Sequence, residues 1–509
     1  MHQSTNPVTN SLSRTSCYVV LCTAFLGWAF AGVHMSINGI VMRVATADLM
    51  HASFVAQGIA EDSNASAQPD ATLVKDFDRN ANGVLDRPER RQARESVLGQ
   101  WFGWFTCAFL FGAATGGLVF GYVGDRFGRA KAMAASILCY SAFSGVSYFA
   151  DSAFQLLLLR YLTCMGIGGM WPNGIALISE AWSNVSRPVL SGIMGTAANV
   201  GILAFGLFTV LSWDVTPDDW RWTFLVGAAP TILGLFSLAA VPESPRWKAL
   251  QLAESSDANN EAKSSVQEIF RPPLLKTTTI GILLGAVPLF GGWGVSNWAS
   301  AWASEVGDQA KTTAKATESP GEKEPADASA QPPKKPNPVL KSMTVVARSL
   351  PGSVSSLLGG ALAFWLGRKR TYLLLCIGAF VCTQFLFSIE NPADSRVLFA
   401  ITMLGQSYEI TEFLGWTFGL GFFSGFFFGW LPLCLPEMFP TRVRATGAGV
   451  SFNWGRILTA IGVLLSAIAL KQLFQGRYAD VGRLTGFVYM LGILVIWMAP
   501  VATTNNLDE

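Results

Sequence analysis

Four residues able to carry positive charge stand inside long apolar runs of this chain: His34, Arg160, Arg348 and Arg456. Burying an ionisable group in such a run is costly, so each is a candidate for holding an anion or carrying a proton. Arg456 follows Ala445 by eleven residues, roughly 17 Å along a helix and near the middle of its run. Its planar donor fork suits a carboxylate; the alternative is a structural arginine bonded to backbone carbonyls or to Asn453. Arg160 lies in the outer third of its run, where a helix-packing hydrogen bond is the alternative. Arg348 lies near the outer end of its run, from where it can snorkel. His34 is the only histidine at such depth, and an imidazole titrates ordinarily at about 6.5; the alternative is a polar cavity-lining residue. Trp28, Trp104, Trp293 and Trp298 are candidate cavity walls, although aromatic residues in such runs also pack or sit at interfaces. No Asp or Glu occupies the middle of any run, and no nucleophile, metal cluster or phosphate loop stands out, so an enzyme is not expected.

The elements that must position these residues are membrane helices. Of the 509 residues, 51% are hydrophobic and 14% charged, against about a quarter charged in a soluble protein. A net charge of +2 without a basic block excludes a nucleic-acid partner. The eight cysteines fall in apolar segments without a CxxC and read as packing residues. About 20 apolar residues cross a bilayer, and twelve such runs are legible. They are Cys17–Met42, Val97–Tyr122, Ala132–Ala150, Ala153–Ser179, Pro188–Trp213, Trp222–Val241, Thr277–Ala303, Met343–Leu366, Tyr372–Ser388, Phe413–Cys434, Ala445–Leu470 and Leu484–Val501. The ninth is short, and the apolar piece Val397–Gly405 after it is hard to place. The polar opening makes a cleavable signal peptide unexpected.

Short basic loops fix an expected orientation. Arg126, Arg129 and Lys131 follow span two, Arg368, Lys369 and Arg370 follow span eight, and Arg442 and Arg444 follow span ten. All three loops lie on one side, which should be cytoplasmic together with both termini, residues 1–16 and 502–509. The first six-span half is then 17–241, with an outer loop at 43–96. A cytoplasmic linker at 242–276 leads to the second half, 277–501, with a low-complexity outer loop at 304–341.

Two features recur between the halves. The segment from Gly121 through Asp125, Arg126, Gly128 and Arg129 to Lys131 is echoed by Gly360 through Gly367, Arg368 and Lys369. Phe364 and Trp365 break the match. Glu180 and Arg187 after span four are echoed by Glu437 and Arg444 after span ten. Such repeats indicate duplicated halves. The first segment, GYVGDRFGRAK, resembles the signature loop of the major facilitator superfamily. PESPRW, from Pro242 to Trp247, resembles the sugar-porter and metabolite-symporter branches. The stretch from Pro436 to Ile457 and the first helix from Ala24 to Ser36 resemble the aromatic-acid and sialic-acid proton symporters. Arg160 with Gly166 and Gly168 resembles the superfamily's proton-coupling motif of the fourth helix. The resemblance implies an all-α membrane protein of twelve helices in two pseudo-symmetric halves. It also implies a gate built from Gly121, Asp125, Arg126, Gly128, Arg129, Glu180, Arg187, Glu437 and Arg444; plain topology anchors are the alternative. The family often has an acid near the place of His34, so its coupling mechanism does not transfer directly.

Residues 78–89 form a separate constellation. Asp78, Asn80, Asn82, Asp86 and Glu89 place side-chain oxygens at loop positions 1, 3, 5, 9 and 12, with Gly83 at 6 and Leu85 at 8. This resembles an EF-hand calcium loop, with Val84 ligating through its carbonyl. A helix capped by Asp86 with Glu89 three residues on is the alternative, compatible with the first.

These observations lead to an expectation of secondary active transport of a small organic solute by alternating access. Proton-coupled uptake of an organic anion, a carboxylate or acidic sugar, is the leading form. The pathway would include His34, Arg160, Asn453, Arg456, Trp28 and Trp298. Transport or export of a neutral sugar or drug is the alternative, and a calcium-responsive sensor on the same fold is the rival from another class. No cofactor is expected beyond calcium in the outer loop. The chain is expected in the cell inner membrane, as a monomer.

Overall fold

A computed structural model of the chain describes residues 12–60, 71–78, 82–182, 187–244, 247–248, 265–306, 340–403, 405–440 and 443–500. Asn80 lies outside the described residues, as do the side chains of Asp125, Arg187 and Arg444. Twelve helical spans follow in order. Span one is Arg14–Ile40, span two Arg87–Phe127, span three Arg129–Ser147, span four Ala153–Ala181 and span five Arg187–Leu211. Span six is split into Trp222–Ala228 and Thr231–Ala240 at Pro230, which has no N–H to continue the ladder. Span seven runs over Leu274–Val306, span eight over Leu340–Leu366, span nine over Arg368–Leu386, span ten over Glu412–Glu437 and span eleven over Arg444–Gln472. Span twelve joins Tyr478–Gly486 to Val488–Met498.

Ten of these helices are long and apolar enough to cross a membrane. Spans three and nine fall short because each opens on cations, Arg129 with Lys131 and Arg368 to Arg370. Span three also carries Ser136, Ser141 and Ser147, and each bonds a carbonyl of its own helix, which hides the hydroxyl from lipid. Starts are set by caps: Ser13 Oγ accepts from Ser16 N at 3.1 Å, and Ser152 Oγ from Gln155 N at 3.2 Å.

The apolar piece after span nine is not a span. Val397–Met403 and Gln406–Thr411 form an antiparallel hairpin, β1 and β2. Gly405 at its turn has φ 78, a left-handed conformation favouring glycine. Seven residues are too few to cross.

The halves meet where span five packs on span eight and span two on span eleven. Within each half, close approach depends on glycine. A β-carbon on Gly116 would lie 1.7 Å from the Met165 carbonyl oxygen, and one on Gly429 would lie 2.5 Å from that of Ser356. Without side chains there, spans two and four, and spans eight and ten, pack backbone against backbone.

Candidate functional site

A cavity of about 110 Å³ lies between the halves. Spans one, two, four and five contribute Trp28, Phe109, Trp171 and Asn199; spans seven, eight, ten and eleven contribute Trp293, Arg348, Ser424 and Arg456. Its aromatic walls are ordered by contact. Trp28 and Trp171 have ring centres 4.8 Å apart, and Phe109 stacks on Trp293 across the halves at 3.9 Å. Arg456 lies 4.7 Å over the Phe452 ring, and its Nη1 donates to the Ala113 carbonyl at 3.4 Å. Arg348 Nη1 donates to the Gly292 carbonyl at 3.2 Å.

Local backbone irregularity makes that second contact available. Pro288 has no N–H for the Leu284 carbonyl, which accepts instead from Tyr372 Oη at 2.8 Å. Just beyond, Gly291–Val295 form one π-helical turn, a distortion that shifts carbonyls out of the regular ladder and often marks a working site. Two guanidinium groups thus converge on one aromatic cavity, and none of its lining residues is an acid. Such a site suits a small anion with an apolar body.

The remaining sequence candidates divide. Trp28, Trp293 and Arg456 line the cavity. Arg348 does too, a correction to the expectation that it snorkels: Gly292 holds it inward. His34 and Arg160 do not line it. His34 is wholly buried towards spans three and six, its Nε2 3.1 Å from the Gly227 carbonyl and its ring 5.3 Å from that of Tyr140. Arg160 is wholly buried behind span one, and its Nη2 donates to the His34 carbonyl at 2.9 Å. Trp298 packs between Phe102 and Tyr478, at 5.7 and 5.9 Å. Trp104 packs on Trp101 at 4.7 Å. Asn453 packs against Gly117 of span two. Trp171, Asn199 and Arg348 were not legible as a group, because they come from three spans.

The ends that carry the termini hold matched ion pairs. Gly128 (φ 110) and Gly367 (φ 87) start spans three and nine. The next residues, Arg129 and Arg368, meet Glu180 at 3.5 Å and Glu437 at 3.1 Å. Arg368 binds Glu437 through both Nε and Nη2. Arg126 instead donates to Tyr122 Oη at 2.7 Å, and nothing lies near a β-carbon built on Gly121. Glu243 and Ser244 of the PESPRW segment belong to this cluster. Glu243 accepts from the N–H groups of Arg129 and Ala130 at 2.9 and 3.2 Å, and Ser244 Oγ bonds Glu180.

At the opposite end, contacts cross between halves. Arg43 holds Glu95 at 2.6 Å and donates to Ser304 Oγ at 3.3 Å. Arg91 meets Glu305 at 3.3 Å, and Lys341 meets Asp214 at 3.7 Å.

The 78–89 segment follows a helix, Ala71–Phe77, and leads into span two. Asp78 accepts from Gly83 N at 2.8 Å, Gly83 has φ 79, and Leu85 is buried beside Phe54 and Phe77. The Glu89 carboxylate accepts from Asp86 N at 3.0 Å in a capping box. Among the described residues no group of three or more His, Cys, Asp or Glu is arranged to hold a metal ion. The described part is therefore a capped turn, and the expected calcium ligand set is not assembled there.

The model of the Major Facilitator Superfamily matches residues 52–463. A putative metabolite transport protein of Haemophilus influenzae is 26% identical over 405 residues, covering 78% of this chain and 86% of that one. The cis,cis-muconate transport protein of Acinetobacter baylyi is 25% identical over 361 residues, covering 69% and 74%. The sialic acid transporter of Escherichia coli is 22% identical over 358 residues, covering 69% and 73%. Among solved structures, the xylose transporter of Escherichia coli in a partially occluded inward open conformation aligns with TM-score 0.57 at 17% identity, covering 95% of this chain and 97% of that one. That likeness concerns the fold. The family match, the apolar spans and the central cavity agree: this chain belongs to the Major Facilitator Superfamily and is a membrane transporter, not an enzyme.

Proposed function

We propose that the chain takes up a small organic anion, a carboxylate or acidic sugar, by alternating access and with proton coupling. The observation that carries this reading is the convergence of Arg348 and Arg456 on an aromatic cavity whose lining holds no acid. Relatives named for transport of cis,cis-muconate and sialic acid support the same substrate class. Counterflow in proteoliposomes tests it, comparing a carboxylate with its neutral amide.

Access from the end bearing the termini fits the contacts. Cross-half pairs close the opposite end, whereas Arg129–Glu180 and Arg368–Glu437 each lie within one half. The cavity is smaller than the roughly 300–1,000 Å³ of typical ligand sites, which describes a largely occluded conformer. The end bearing the termini is cytoplasmic in this reading, since its short loops hold Arg126, Arg129, Lys131, Arg368, Lys369 and Arg370. Labelling of 304–341 from inside only, with an impermeant cysteine reagent, would reverse it. His34 is the candidate proton carrier in this reading, and its carbonyl accepts from Arg160 of the coupling motif. It is wholly buried here, so opening of this face to water in another conformer is part of the proposal.

Calcium binding at 78–89 is a further part of the proposal, favoured by the helix–turn–helix, the left-handed Gly83 and the buried Leu85. Asp78, Asn80, Asn82, Asp86 and Glu89 would supply side-chain oxygens and Val84 a carbonyl. Glu89 would have to exchange its bond to Asp86 N for the ion. Affinity near about 0.1–1 mM is expected for an extracellular module. Millimolar calcium should then slow proteolysis of 61–81, and Glu89→Gln should abolish that protection. Equal cleavage with calcium and with chelator leaves a capped turn.

A further inference from the structure

The two halves treat one equivalent position differently. In the first half, the N-terminus of span three is filled by the Glu243 carboxylate, which accepts from the N–H groups of Arg129 and Ala130. Span six leads into that acid through Val241-Pro242-Glu243. In the sequence, span twelve is followed by the matching order Ala499-Pro500-Val501, with valine in place of the acid. Among the described residues, no side chain accepts from the N–H groups of Arg368, Lys369 or Arg370 at the start of span nine. Beside it a cavity of about 450 Å³ opens between the ends of spans eight, nine, ten and twelve.

Its charge is uneven. Glu437 also lines the cavity but is engaged bidentately by Arg368. Lys369 donates one proton to the Trp497 carbonyl at 3.4 Å. Arg370 is exposed and has no partner among the described residues. Two cations and the positive end of a helix therefore face one space in which the lining carboxylate, Glu437, is already paired with Arg368. The rim points the other way chemically. Phe364 and Trp365 replace the Asp125-Arg126 pair of the first half and are 73% and 82% exposed. Exposed large aromatics at the end of a membrane helix sit at the lipid–water boundary.

We propose that this cavity holds the phosphate of an anionic phospholipid headgroup. The Lys369 and Arg370 side chains and the first N–H groups of span nine bind it, while Phe364 and Trp365 lie against the acyl chains. The phosphate takes the place that Glu243 fills in the first half, tying the end of span nine to the membrane surface. The aromatic rim favours a lipid over a free phosphate, which would gain nothing from it.

The test is native mass spectrometry of the full chain in uncharged detergent, titrated with phosphatidylglycerol or phosphatidylcholine. Phosphatidylglycerol should be retained at concentrations where phosphatidylcholine is not. Each cation near a membrane surface contributes roughly fivefold in affinity, so Lys369→Ala/Arg370→Ala should bind phosphatidylglycerol roughly 25-fold more weakly. Should the double variant fail to match the parent's melting temperature, Arg370→Gln at its exposed position carries the comparison with a roughly fivefold loss. Val501→Glu, which restores the acid of the first half, should also weaken binding. Excess inorganic phosphate should leave the lipid bound. Equal retention of both lipids, parent-like binding by the substituted proteins, or displacement by phosphate at lipid concentration would each overturn the proposal.

Discussion

Arg456→Ala is expected to weaken binding of a carboxylate substrate roughly 10- to 100-fold, the worth of a charged hydrogen-bonding partner. Arg348→Ala should act in the same direction, because both guanidinium groups line one cavity. Arg456→Lys should fall between, since it keeps the charge but loses the planar fork. Isothermal titration of the purified variants measures this, and a neutral ligand of the same shape serves as the reference. An arginine that merely supports the fold would lower the affinity for both ligands alike. Arg456 also stacks on Phe452 and bonds the Ala113 carbonyl of the other half. Its loss should therefore loosen the contact between spans two and eleven, which the neutral reference separates from loss of the anion site.

Glu95→Ala is the substitution expected to harm stability most. Arg43 and Glu95 are both buried and pair at 2.6 Å. Breaking such a pair costs about 3–5 kcal/mol, mostly through the charge left behind. Replacing both partners with apolar residues of similar size is often neutral, so Arg43→Met/Glu95→Leu should recover much of the loss. Thermal unfolding in detergent reads both. If the double variant is no better than the single one, the pair does not act as a coupled unit. Because Arg43 also reaches Ser304 of the second half, the single variant should leave cross-half closure at that end weaker.

Span count was legible because a bilayer imposes length and apolarity on every crossing helix. Even spans three and nine, diluted by Arg129, Lys131 and Arg368 to Arg370, could be placed by their neighbours. The piece at 397–405 was ambiguous because apolarity without length does not separate a strand from a broken helix; Gly405 was the signal for the turn. Arg129 and Glu180 were readable as members of one charge cluster, and they pair at 3.5 Å. The roles of Glu243 and Ser244 were not, since helix capping across more than a hundred residues leaves no local spacing. Glu437 was grouped with Arg444 by analogy with the first half, yet its described partner is Arg368. His34 was drawn to the cavity by its depth, and Arg160 by its depth and by the resemblance of its surroundings to a coupling motif. Depth fixes position along a helix but not which face turns inward. The π turn at Gly291–Val295, which lets Gly292 hold Arg348, has no reliable sequence signature.

The most direct test of an anion-selective central cavity is counterflow into proteoliposomes holding the purified chain, preloaded with an aromatic or sugar carboxylate. The account predicts that labelled carboxylate accumulates transiently, that its neutral amide does not, and that Arg348→Ala/Arg456→Ala abolishes the signal. Equal accumulation of the amide, or parent-like counterflow by the double variant, would contradict it.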